Sequence, residues 1–288
     1  MELFRALASL VEPPGKATAR VAEALGLGRA PGAAEHTETF VFQLYPYASV
    51  YLGAEGMLGG EARDRVAGFW RALGQTPPAE ADHLSVMLAL YARLCELEAG
   101  AGDEAARAGW RAARRAFLWE HLLSWLPAYL AKLEETPAPF YQAWGRVLAE
   151  ALAEEAATVG RQGSLSAHLR EVSPIADPRA SSADEFIASL LAPARSGMIV
   201  VRADLSLAAG ELGLGPRPGG RAFVLKSLLG QDARAVLGWL TREAEAWAAR
   251  HAATRDAYGE TAAAWERRAR DSARRLRDLE SSAADFQE

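Results

Sequence analysis

Apolar side chains recur at three- and four-residue intervals along most of this chain, the spacing of helices with one buried face. The clearest run is Leu84, Met87, Leu88, Tyr91, Leu94 and Cys95, with Arg93 and Glu96 off the stripe, which predicts a core-facing helix. Val66, Phe69, Trp70 and Leu73 predict another over residues 63–73, closed by Pro77 and Pro78. From about Asp103 to Leu133, a wide aromatic stripe of Trp110, Phe117, Leu118, His121, Leu122, Trp125 and Tyr129 predicts one long helix with a bend at Pro127. Phe40, Leu44, Tyr47, Ala48 and Tyr51 form an earlier helical pattern that Pro46 must kink or break, because proline removes a donor and crowds the preceding turn. Beyond Pro139, Tyr141, Trp144, Val147, Leu148 and Leu152 predict a further helix. The chain opens on an amphipathic pattern over residues 1–12 that Pro13, Pro14 and Gly15 interrupt.

These elements predict an all-α fold: a compact helical bundle over residues 1–160, a linker over 161–185 and a helical C-terminal region over 186–288. The linker is read from turn formers clustered at 161–164 and 173–182. Met198, Ile199, Val200 and Val201 are either a strand or buried helix, since four residues do not separate the two. Short helices follow at 203–212 and 222–229 around the glycine and proline turn 213–220, then a longer one over 233–251. The last helix, about 255–279, is polar nearly all round. Its acid-before-base pairs Glu266 with Arg270 and Asp271 with Arg275 predict a solvated surface helix, or an arm that grips a partner.

Composition narrows the function classes. Half of the 288 residues are apolar, enough to bury a core, and 32 basic against 37 acidic side chains leave no basic field for nucleic acid. Cys95 is the sole cysteine, which excludes an internal disulfide and thiolate metal clusters and fits a reducing compartment. On the apolar face of its helix it reads as a buried thiol rather than a nucleophile. No signal peptide and no run long enough for a membrane span are present, so the expected location is cytoplasmic. The sequence holds no Gly-Lys-Ser/Thr phosphate loop, no G-x-G-x-x-G, no G-x-S-x-G and no paired histidines at ligand spacing, so no cofactor and no metal is called for. Arg114 and Arg115 followed by Phe117 and Leu118 look like a twin-arginine export signal, but they lie mid-chain in an amphipathic helix. The expectation is a protein that binds another protein rather than an enzyme.

Two stretches carry a resemblance. Pro77, Pro78, Glu80, Asp82, His83 and Leu84 precede the most periodic helix. Phe117, His121, Leu122 and Trp125, then Pro139 and Tyr141, follow it. Together they resemble the TorD/DmsD (NarJ-like) family of molybdoenzyme maturation chaperones over roughly residues 37–160, with no proline inside the Glu80 to His83 stretch. The resemblance implies a cytoplasmic chaperone that binds the twin-arginine leader or the apo-form of a molybdopterin-dependent oxidoreductase and assists cofactor insertion before export. The first 36 residues and the C-terminal third exceed that family core.

Leader recognition requires an apolar groove and carboxylates for two guanidinium groups. Glu80, Asp82 and His83 are the candidates for the polar part, and Tyr45, Tyr47 and Trp70 for the groove. Each has a plainer reading: Asp82 as the N-cap of its helix, His83 as a structural hydrogen-bonding group, the aromatics as core. His121 and Trp125, four apart, are expected to pack and hydrogen-bond inside the bundle. Two rival functions stay open. One is a helical scaffold or assembly factor without leader recognition, joined to its partner by the last helix. The other is an enzyme using Glu80 and Asp82 as acid and base. The turn-rich segment 161–185 leaves room for a homo-oligomer.

Overall fold

The computed structural model describes residues 2–54, 56–161 and 164–285. Met1 of the opening amphipathic pattern, Glu55, Gln162 and Gly163 of the expected linker, and 286–288 at the end of the expected C-terminal region lie outside the described residues. Among the described residues every regular element is helical, apart from one isolated bridge between Tyr47 and His83. No helix of the described residues is long and apolar enough to cross a membrane. The chain divides into two compact units, one of Met1–Ser49 with Leu58–Arg170 and one of Val50–Met57 with Glu171–Glu288.

In the first unit run α1 (Glu2–Ser9), α2 (Thr18–Ala24), α3 (Ala33–His36), a π-helical segment (Thr37–Gln43), the start of α4 (Ala48–Leu52), α5 (Gly60–Ala72), α6 (Leu84–Ala99), α7 (Glu104–Phe117), a second π-helical segment (Leu118–Leu122), α8 (Leu126–Leu133) and α9 (Pro139–Val159). The predicted stripe of α6 is buried from end to end, together with Leu90 and Ala92, so this helix forms the core against α1 and α7. Phe4 of α1 meets Tyr91 edge to face at 5.0 Å, and the Trp144 indole of α9 donates to the Leu7 carbonyl at 3.1 Å. Burial pushes the Cys95 thiol up to about 11, so it stays protonated and inert at neutral pH.

Arg114, the apparent export-signal arginine, stitches this core. It donates to Glu98 at 2.9 Å and to Glu155, which also accepts from the Tyr91 hydroxyl. The side chains of Arg114 and Glu98 are only 13% and 10% exposed. The long helix expected from Asp103 to Leu133 is three pieces. Asp103 caps α7 by accepting from Ala106 N at 2.7 Å, the π segment widens the turn, and Pro127 opens α8 instead of bending a continuous helix. Each π segment closes on an i to i−5 bond, Leu44 N to Thr39 O and Leu123 N to Leu118 O, both 2.7 Å. Residues 161–185, expected as a linker, hold the short helix α10 (Ala167–Glu171) and the buried side chains of Ser166, His168, Leu169 and Ile175.

The second unit carries α11 (Ala183–Leu191), α12 (Pro193–Ser196), α13 (Arg202–Leu212), α14 (Arg221–Gln231), α15 (Ala233–Ala253) and α16 (Arg255–Asp285), the last interrupted at Gly259, whose φ of 52° is non-helical. Residues 198–201 form neither strand nor helix; they are a buried irregular segment. The solvated-helix and free-arm readings of α16 both fail. Tyr258, Ala262, Trp265, Ala269, Ala273, Leu276 and Leu279 are buried along one seam, against α15 and the α12 turn. At that turn Gly197, with φ +76°, comes so close that an added Cβ would lie 2.3 Å from Ala269 N. Glu266 pairs with Arg270 at 2.6 Å as expected, but from a position only 1% exposed, and it also accepts from Arg255. The pairing of Asp271 with Arg275 does not form. Asp271 meets Arg274, while Arg275 donates to the Ile175 carbonyl.

Candidate functional site

The stretch singled out in the sequence is built by two extended segments brought side by side. Pro46 cannot donate, and its carbonyl accepts from Leu84 N at 2.8 Å, while Ala48 N donates to Asp82 O at 3.0 Å. The predicted helix from Phe40 to Tyr51 is therefore two elements, the π segment and α4, with this short bridge between them.

Asp82 is 2% exposed, and Oδ2 accepts from Ser49 N at 3.0 Å. It does not cap its own helix. The N-cap of α6 is His83, without a side-chain cap bond, and Asp82 instead satisfies an orphan amide at the start of α4, 33 residues away in sequence. A buried carboxylate held this way is out of reach of an incoming guanidinium. Glu80 is exposed and accepts from the Tyr47 hydroxyl at 3.0 Å. Burial and then the Glu80 bond push the Tyr47 phenol up to about 12, so it remains a donor throughout the physiological range.

The His83 ring packs edge to face on Tyr47 at 4.8 Å, and Nδ1 lies 2.7 Å from Ser85 Oγ. Ser85 donates to Glu12, whose Oε1 is 3.7 Å from the same Nδ1. With the serine proton directed at Glu12, Nδ1 carries the imidazole proton. Burial lowers the His83 pKa, against the opposing pull of Glu12, Glu80 and Asp82. The result is a surface bearing two exposed carboxylates, Glu12 and Glu80, fixed by a neutral phenol, a neutral imidazole and a hydroxyl.

Tyr47, Glu80, Asp82 and His83 thus come together. Tyr45 is 37% exposed just before the bridge, and the π segment ahead of it presents Val41 and Phe42, 44% and 48% exposed. Trp70 stands elsewhere, half-buried on α5 in a cleft that no other singled-out residue lines. His121 is 5% exposed among Phe69, Phe117 and His168, and its carbonyl accepts from the Trp125 indole at 2.9 Å. Glu12 and Ser85 were missed, because a partner 73 residues distant leaves no local mark; Val41 and Phe42 were missed because the π turn departs from the 3.6-residue period.

Residues 9–131 match the family model described as nitrate reductase delta subunit. A 98-residue stretch is 35% identical to the chaperone protein TorD of Vibrio vulnificus (strain YJ016). This region is related to the TorD-type chaperones. The second match covers 31% of this chain and 44% of the relative, so less than half of that protein's length is spanned. All residues of the acidic surface, from Glu12 to Ser85, lie inside the TorD-type region; the α11 to α16 segment lies outside it.

Proposed function

We propose that this protein is a cytoplasmic chaperone that binds the twin-arginine leader or the apo-form of a molybdopterin-dependent oxidoreductase and assists cofactor insertion before export. The observation that carries the reading is the exposed Glu80 carboxylate, oriented by Tyr47 and accompanied by Glu12, on a stretch preceded by the exposed Val41, Phe42 and Tyr45. A leader pairs guanidinium groups with an apolar segment, and this surface offers the complement of both. Relation to a named chaperone supports the same reading. Of the two acidic residues singled out, Glu80 is the recognition group and Asp82 a structural clasp.

The test is a calorimetric titration of the full chain with the twin-arginine leader peptide of a molybdoenzyme encoded in the same genome, beside a peptide with both arginines replaced by alanine. Saturable binding to the first, weakened about tenfold or more by the alanine peptide and by Glu80→Gln, is expected. Asp82→Asn lowers the urea midpoint instead, by roughly 1 to 2 kcal/mol of stability, because Ser49 N loses a charged acceptor. No heat with any such leader would overturn leader recognition.

A further inference from the structure

The Trp70 cleft has its own chemistry. It encloses about 550 Å³ at the surface of the first unit, between α1, α5, α6 and α7. Its floor is Leu90, Leu94 and Leu97, spaced along α6 over about two helical turns, or roughly 10 Å. The two half-buried indoles Trp70 and Trp110 line it from α5 and α7. The polar side is cationic. Arg5 is held by both oxygens of Glu96 at 2.9 Å, whereas Arg93 reaches the same carboxylate only at 3.4 Å and its side chain is 58% exposed. With Glu96 engaged bidentately by Arg5, Arg93 is the cation left with the least neutralisation. The Trp70 Nε1–H, though buried, has no acceptor in the protein.

We propose that this cleft is a second docking site, taking a short helical segment of a partner protein that sets a leucyl or aromatic side chain beside a carboxylate. The apolar floor fits side chains one helical turn apart, the length of a helix-in-groove contact. Indoles and arginine are the residue types that anchor such contacts, and the Arg93 fork beside an unengaged indole donor offers hydrogen bonds to a carboxylate. Its charge is opposite to that of the Glu80 surface. A twin-arginine segment is repelled here, so the two sites hold different parts of a client, or different proteins.

The experiment uses the full chain and tryptophan emission. It is titrated with the peptide Ac-AELFEALLEA-NH2 and with its charge-reversed counterpart Ac-AKLFKALLKA-NH2. Saturable change with the acidic peptide and none with the basic one is expected. Arg93→Glu should weaken the acidic peptide about tenfold or more while leaving leader-peptide affinity and the urea midpoint unchanged, and Trp110→Ala should weaken it comparably. Equal response to both peptides, no saturable response to either, or full affinity in Arg93→Glu overturns the proposal. So does concentration-dependent self-association in sedimentation that Trp110→Ala abolishes, which would make the occupant a second copy of this chain.

Discussion

α6 and α16 occupy equivalent positions in their units yet are built from different materials. α6 fills its surroundings with leucines, a methionine and a tyrosine, and its polar groups end in a nearly closed set of ion pairs around Arg114. α16 buries mostly alanines, with Trp265, Leu276 and Leu279 among them, and lets arginine stems cover the rest while their guanidinium groups reach backbone carbonyls at Ala194 and Ile175. The first helix obtains stability from apolar volume, the second from close approach. Burial is therefore no measure of apolarity. A helix of small residues and long amphipathic cations packs as fully as one of leucines.

The contrast is broken most severely at Gly197, where an added methyl meets the α16 backbone and φ is unfavourable for any other residue. Gly197→Ala should cost about 4 kcal/mol, read as a lower urea midpoint with accelerated amide exchange in α15 and α16. A comparable glycine-to-alanine change at Gly68 of α5, which meets nothing within 4 Å, should be neutral or slightly stabilising. On the α6 side the sensitive element is charge. Arg114→Met strands Glu98 and Glu155 in partly buried positions and should cost about 3 kcal/mol, with Glu98→Gln in the same background recovering part of the loss.

The smallest effect is graded by pH and appears in both units. Burial, reinforced by His168 and Arg65, lowers the His121 pKa to about 3, and burial lowers that of His251 to about 4 despite its bond to the Gly197 carbonyl. The unfolded chain takes up these protons near pH 6.5 and the native one does not. Stability is thus full above that pH and falls as pH drops below it, by about 1.4 kcal/mol per pH unit for each ring that stays neutral. His121→Phe should flatten the urea midpoint against pH between about 6.5 and 4.5 by that amount, and an unchanged slope would remove this ring from the acid response.

The same physics decides what the sequence disclosed. Large apolar residues at helical spacing announced α6, α9 and the helical class without ambiguity, because period and volume coincide there. α16 was hidden, since alanine carries little hydropathic weight and its arginines read as solvated until their carbonyl partners are known. At the site, Glu80, Asp82 and His83 were legible as a group. The division of labour between them was not, because it depends on Ser49 and Glu12, which only the fold brings near.

The π turn at Thr37–Gln43 has a consequence for how this surface could change. Such a turn accommodates one residue more than the regular ladder, so it is equivalent to a single-residue insertion absorbed in place. Removing one residue would restore the ordinary ladder and rotate everything after it by about 100° relative to what precedes it. The side chains from Leu44 to Tyr47 would then leave their present bearing. The facing of the recognition surface is a matter of phase, which a one-codon deletion alters at a stroke and no substitution reproduces.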